Sequence, residues 1–251
     1  MKRVLGQALT VVTAGVLAMA FTPACAENDQ SIFIQSALAP STNRQGGACT
    51  YTNDPTQPSL FSGSVDVAIR DNYGAILLVG NQMIARGDAA NTRAESNRAH
   101  INGAVVRVTD PNGGLIGEFT SVATGFVDPQ INNQPSFGTI SVTAIDAPTQ
   151  ARIAEGMALG ESKLVLANIK AFGKTVGGVD LESGEFQLPV RVCAGCLITT
   201  AGADRAVQEC QAAEDAATGA DQLPCFPGQD EGTPCWLCRE RPACRAATIT
   251  Q

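Results

Sequence analysis

The placement of the cysteines constrains this chain more than any other feature. Nine are present, and seven of them, Cys193, Cys196, Cys210, Cys225, Cys235, Cys238 and Cys244, lie beyond residue 192. Cys25 sits behind an apolar N-terminal stretch, and Cys49 stands alone between that stretch and the crowded end. With Cys25 set aside the count is even. An even set of cysteines in an exported chain implies a disulfide framework, whose connectivity the sequence does not supply. The crowding divides the chain into an export signal over 1–26, a body over 27–192 and a cysteine-rich C-terminal module over 193–251.

Export is read from the first segment. Lys2 and Arg3 form a charged start, Val4 to Phe21 a mostly apolar stretch, and Thr22-Pro23-Ala24-Cys25-Ala26 a small-residue site suited to a peptidase. Two cleavages fit. Ala24-Cys25-Ala26 ahead of Glu27 satisfies the small-x-small rule of ordinary secretion. Alternatively, Cys25 becomes the lipidated first residue of a bacterial lipoprotein, although Thr22 stands where an aliphatic residue is usual. No segment beyond this one is apolar enough for long enough to span a bilayer. Formal charge is −7, and removal of the signal takes Lys2 and Arg3 but none of the 24 acidic residues. That sign argues against nucleic acid and against electrostatic attraction to anionic lipid, both of which need a cationic face.

The body reads as strands. Val65, Val67 and Ile69 alternate with polar neighbours, Asp71-Asn72-Tyr73-Gly74 is turn chemistry, and Ala75 to Gly80 is apolar, so a hairpin is expected there. Ala104 to Thr109 and Leu115 to Thr120 flank Pro111-Asn112-Gly113-Gly114, a second hairpin. Thr139 to Ala144 alternates, Lys163 to Phe172 is apolar enough on both faces to be central, and Glu185 to Val192 alternates again. Pro189 lacks a ladder donor, which places a free edge beside that last strand. Residues 85–99 read as a long polar loop and 149–160 as an inserted helical turn. About seven short strands with turns between them predict a mainly β body, a two-sheet antiparallel immunoglobulin-like sandwich in which each strand's apolar face is buried against the other sheet.

The C-terminal module differs. Ala203 to Ala217 has helical spacing, ended by Gly219. The remainder has little periodicity and cannot bury enough apolar surface alone, so cross-links must compensate. Cys49 is expected to tether the start of the body to a cysteine of this disulfide-rich, partly helical module.

Several stretches together are distinctive. They are Cys49-Thr50-Tyr51, Ser64-Val65-Asp66-Val67, Val79-Gly80-Asn81-Gln82-Met83, Glu95-Ser96-Asn97-Arg98, Lys170 to Gly178, Pro189 to Leu197 and Leu223 to Asp230. In this the chain resembles uncharacterised lipid-anchored surface proteins of myxobacteria and their relatives, from about residue 25 to 240. The resemblance implies a place in the outer membrane or on the cell surface and lipidation of Cys25. It brings no activity and no catalytic residues.

The remaining motifs rank below structural readings. Cys193-Ala194-Gly195-Cys196 and Cys235-Trp236-Leu237-Cys238 could each offer a zinc knuckle. The gap between them, residues 197–234, is about twice the usual 15–20, and the exported address favours disulfides. Redox use would call for a low-pKa cysteine at a helix start, and Cys193 instead follows a strand. His100 is the sole histidine, with no Gly-x-Ser-x-Gly elbow to serve a triad. Asp66, Glu95, Asp128, Asp146 and Glu155 are scattered, without a glycosidase signature. Asp221, Asp230 and Glu231, or Asp128 with Asn132 and Asn133, could supply calcium oxygens, but no Asp-x-Asp-x-Asp-Gly loop exists. Arg86-Gly87-Asp88 is read as a turn. The chain is therefore expected to be an envelope-anchored protein with a binding or structural role, no cofactor and no enzymatic activity. One alternative is a surface-assembly subunit that donates Ser31 to Ala39 to a neighbour's sheet, although that segment is more simply the first strand of its own sandwich. The other is a carboxylate-based hydrolase of extracellular polymers.

Overall fold

A computed structural model of the protein describes residues 31–41, 49–88, 93–199, 223–238, 240, 241 and 244. The segment expected to be an export signal, with Cys25, the helix expected over 203–217, Cys210 and Asp221 lie outside the described residues. The chain is mainly β. Its strands are β1 (Ile32–Leu38), β2 (Ser59–Leu60), β3 (Gly63–Asp66), β4 (Tyr73–Asn81), β5 (Ala99–Thr109), β6 (Leu115–Val127) and β7 (Ser136–Ile145), followed by helix α1 (Ala147–Ala154). Then come β8 (Ser162–Thr175), β9 (Asp180–Glu182), β10 (Phe186–Cys193), β11 (Ile198–Thr199) and β12 (Thr233–Pro234).

The first sheet has the order β2-β1-β4-β7, the second β3-β10-β8-β5-β6 with β9 beside β8, and β11 pairs β12. One core joins the two larger sheets. Ile32, Leu77, Val79, Ile140 and Val142 from the first pack with Val106, Val108, Ile169, Leu188 and Val190 from the second. This burial is what the period-2 alternation anticipates. A curled, half-barrel sheet is present, and the β6 edge of the second sheet meets β7 of the first, where Thr143 N donates to Ser121 Oγ at 2.8 Å. At the opposite side, Ile32 of β1 bridges Ser183. No helix among the described residues is long and apolar enough to cross a membrane.

Most strands fall where the alternation places them. β8 is central, paired with both β5 and β10, and the β5–β6 hairpin turns at Gly113, whose φ of 88° suits glycine. α1 starts after Asp146, whose side chain accepts from Thr149 N at 3.0 Å. β3 reaches only as far back as Val190 on β10, so Pro189 adjoins the end of that pairing.

Two expectations fail. The hairpin over residues 64–80 does not form: β3 belongs to the second sheet and β4 to the first. After Asp66 the chain turns, with Ile69 N and Arg70 N both donating to Asp66 O, and Ile69 packs against Cys238 and Cys244 rather than in the main core. Nor are the sheets wholly antiparallel, since β3 runs parallel to β10.

The C-terminal module completes the body. Residues 228–230 lie along β3: Asp66 N donates to Gly228 O at 2.9 Å and Asp230 N to Ser64 O at 2.8 Å. Gln229 grips Gly74 of β4 in both directions, accepting from its N at 3.0 Å and donating to its O at 2.7 Å. Cys49–Cys225 ties the start of the body to this segment, as expected for Cys49.

Candidate functional site

Among the described residues, an open groove of about 820 Å³ lies at the end of the molecule where β1 begins, β4 ends and β8 turns into β9. Ser31, Met83 and Ile84 line one side, and Thr175, Val179 and Glu182 the other. Its apolar character comes from side chains left in solvent, Ile84 at 69% exposure and Val179 at 63%. Isolated exposed aliphatics are ordinary, and these two are distinguished by lining one groove together.

The groove's wall is built by one buried amide. Asn81, fully buried at the end of β4, donates from Nδ2 to Asn97 O at 3.0 Å and Val127 O at 3.1 Å, and its Oδ1 accepts from Met83 N at 2.9 Å. Asn97 in turn donates to Ile84 O at 2.8 Å. Glu95 knits the outer part of the loop, accepting from Arg86 N at 2.8 Å, Gly87 N at 2.6 Å and Asn97 N at 2.6 Å. Desolvation opposes ionisation of Glu95, yet the backbone donors, Gly87 foremost, prevail and hold its carboxyl below the usual range. The described residues 85–88 and 93–98 lie outside the named strands, in keeping with the polar loop read from sequence, while Ala99 already belongs to β5. Arg86-Gly87-Asp88 is not a turn, since Asp88 bridges Arg93 as one limb of a small antiparallel pair. Nothing in the sequence marked Asn81 as the organiser.

Charge on the opposite wall is paired. Asp180 Oδ1 lies 2.9 Å from Lys174 Nζ and Glu182 Oε2 lies 2.7 Å from Lys170 Nζ. Both carboxylates project from one face of β9, with Leu181 buried between them. A glycosidase pair must flank the scissile bond from two sides, and these do not.

The carboxylates weighed in the sequence are dispersed. Asp146 caps α1, Glu155 follows its last turn, and Asp128 pairs with Arg98 at 2.9 Å. His100 stacks on Phe126 at 4.4 Å on the outside of the second sheet, with Arg98 over the same ring at 5.1 Å. Asn132 and Asn133 have φ of 52° and 61° and form a tight turn between Ile131 and Gln134, a conformation asparagine tolerates. Asp230 spends its oxygens on Ser64 N, Tyr73 Oη and Gln229 Nε2, and Glu231 accepts from Cys225 N at 2.8 Å.

At the other end of β8 stands the second constellation. Cys193 and Cys196 are bonded to each other, so the first C-x-x-C closes on itself. The second does not: Cys238 pairs with Cys244, and Cys235 is disulfide-bonded elsewhere. Asp66, fully buried, accepts from Ala68 N at 3.0 Å, Gly195 N at 2.7 Å and Leu197 N at 3.0 Å. Its carboxylate and the two sulfurs lie within 4.8 Å of one another. A metal would need both sulfurs as thiolates, and here they share a bond; the carboxylate is already saturated by peptide donors. No protein-family model, curated protein or solved structure matches this chain.

Proposed function

We propose that this is an exported cell-envelope protein, held in the outer membrane through a lipid on Cys25, whose immunoglobulin-like body binds a ligand in the groove between Ile84 and Val179. The groove is the observation that carries the binding part. It combines exposed aliphatics, a loop stiffened by Asn81 and Glu95, and paired charges at the rim, which suits recognition better than catalysis. The disulfides favour an oxidising compartment. The lipid anchor and the outer-membrane address rest on the sequence alone.

Two measurements test this. Intact mass of protein from its native membrane should carry diacyl or triacyl modification on Cys25; a chain starting at Glu27 removes the anchor. For the groove, purified protein should bind isolated envelope material saturably, and Ile84→Asp with Val179→Asp should abolish binding without unfolding the protein. Equal binding by wild type and variant would sink the groove's role.

A second reading has a specific observation behind it. β2 pairs with β1 only at Ala37 and Leu38, so Phe33 to Ser36 lack a ladder partner on that side among the described residues. A surface-assembly subunit could add a neighbour's strand there. β1 lies in its own sheet, the simpler reading of Ser31 to Ala39, so here it would receive a strand rather than supply one.

A further inference from the structure

We propose that the Cys193–Cys196 bridge is a thiol–disulfide exchange site, with Cys196 as the sulfur that carries the mixed disulfide and Cys193 as the leaving and resolving sulfur. The two cysteines are unequal. Cys193 closes β10 in the interior, whereas Cys196 is the one exposed cysteine among the described residues. Attack on a disulfide requires an accessible sulfur, and only one end of this bond offers it. Arg191 Nη2 donates to Cys196 Sγ at 3.6 Å, placing a permanent cation beside that sulfur. Such a charge favours thiolate over thiol and draws anionic thiols toward it.

The loop is held without the sulfur bond. Asp66 binds Gly195 N and Leu197 N, Val67 N donates to Cys193 O at 2.8 Å, and Gly160 N donates to Ala194 O at 2.8 Å. Gly195 supplies the φ of 83° that the short loop requires. Opening the bond therefore leaves the surrounding backbone fixed, with both sulfurs still near each other. The bridge also contributes little as a staple. Its cysteines are 3 residues apart, against 176 for Cys49–Cys225, and chain restraint grows with the loop closed.

The partner class is an aliphatic thiol. Its thiolate attacks Cys196 Sγ, the Cys193–Cys196 bond breaks, and a mixed disulfide forms on Cys196. Cys193 leaves with the electron pair and takes up the proton the incoming thiol released, an outcome favoured by the Asp66 carboxylate beside it. A second thiol then attacks the mixed disulfide and frees Cys196. Two thiols have been oxidised to their disulfide, and the protein has gained two electrons and two protons as a dithiol.

The experiment uses the oxidised full-length chain with graded reduced glutathione, followed by alkylation, peptide mapping and circular dichroism. Cys193 and Cys196 should become alkylated while Cys49–Cys225 and Cys238–Cys244 stay closed and the spectrum is unchanged. Opening of all bridges together, or only with loss of the β spectrum, overturns the proposal. Next, oxidised glutathione should modify Cys196 in Cys193→Ser roughly tenfold or more faster than Cys193 in Cys196→Ser. Equal rates would refute the assigned order of sulfurs. Finally, Arg191→Gln should slow the reaction of Cys196 in Cys193→Ser with the uncharged hydroxyethyl disulfide by about threefold or more; an unchanged rate removes Arg191 from the site.

Discussion

Tyr73 and Asp230, 157 residues apart in sequence, meet through a hydrogen bond of 3.1 Å from the Tyr73 hydroxyl to Asp230 Oδ2. Tyr73 is fully buried at the start of β4, and Asp230 follows the segment that lines β3. Burial, reinforced by the neighbouring carboxylate, holds the tyrosine hydroxyl above its ordinary range, so it remains a neutral donor. Tyr73→Phe removes that donor and leaves a partly buried acceptor short of a partner. Urea unfolding at neutral pH should show a loss of about 1–3 kcal/mol; a change within a few tenths would mean water replaces the hydroxyl.

The same pair gives a pH dependence. Burial is the main cause that raises the Asp230 carboxyl above its ordinary 3.8, ahead of the donors from Ser64 and Gln229 that pull it down. The folded state thus prefers the protonated acid. Its contribution is complete below pH 3.8 and is lost as pH rises through the higher folded-state value. Asp230→Asn cannot ionise, so its stability relative to wild type should improve as pH rises across that window. Parallel stability profiles for the two proteins between pH 3 and pH 7 would contradict this assignment.

Cys49–Cys225 closes the longest loop among the described bridges, with a sequence separation of 176. Replacing both cysteines with alanine should lower unfolding free energy by about 3–5 kcal/mol, chiefly by releasing the unfolded chain. Guanidinium titration of the double variant checks it. A loss below about 1 kcal/mol would mean the remaining contacts of residues 228–230 already hold the two segments together.

Asp66→Ala should be among the most damaging single changes in the body. Three backbone donors, from Ala68, Gly195 and Leu197, would lose their acceptor at a fully buried site. At about 1–3 kcal/mol for each buried donor left unpaired, a total of about 3 kcal/mol or more is expected. Asp66→Asn keeps one carbonyl oxygen and should recover part of it. Thermal melts of the three proteins should rank wild type, Asn, Ala; an Ala variant as stable as Asn would argue that water enters the space.

Gly103 lies opposite Phe172 in the β5–β8 register, and a side chain there would run into the phenylalanine ring and Ser121 O. Gly80 faces Phe33 in the same way in the other sheet. Gly103→Val, although it raises β propensity, should cost about 1–3 kcal/mol through overpacking. A thermal melt tests the sign, and stabilisation would show that Phe172 can rotate aside.

The sequence made the strands legible wherever both ends of a contact obey one period. β5, β7 and β10 alternate because each buries one face in a shared core, and that signal is local. It failed at Ile69 for an instructive reason. Val65, Val67 and Ile69 keep the alternation of a strand, but Ile69 is apolar for the sake of Cys238 and Cys244, far along the chain. A hydrophobic pattern says that a residue is buried, not against what. Cys49 could be assigned to the C-terminal module by counting, whereas the closure of Cys193 on Cys196 could not. The groove was the least legible part. Its walls come from the starts and ends of strands, and Asn81 organises them through backbone oxygens that any residue would offer.

The annealing of residues 228–230 to β3 sets chain order against folding order. A ribosome delivers β3 early and its outer neighbour almost last, so a nascent body carries a raw sheet edge and a lone Cys49 thiol until some 160 residues more have emerged. Truncation near residue 220 would then yield a sticky, misoxidation-prone remnant rather than a smaller working protein, and C-terminal tags or fusions are the safer engineering choice only if they leave residues 223–238 free to zip in.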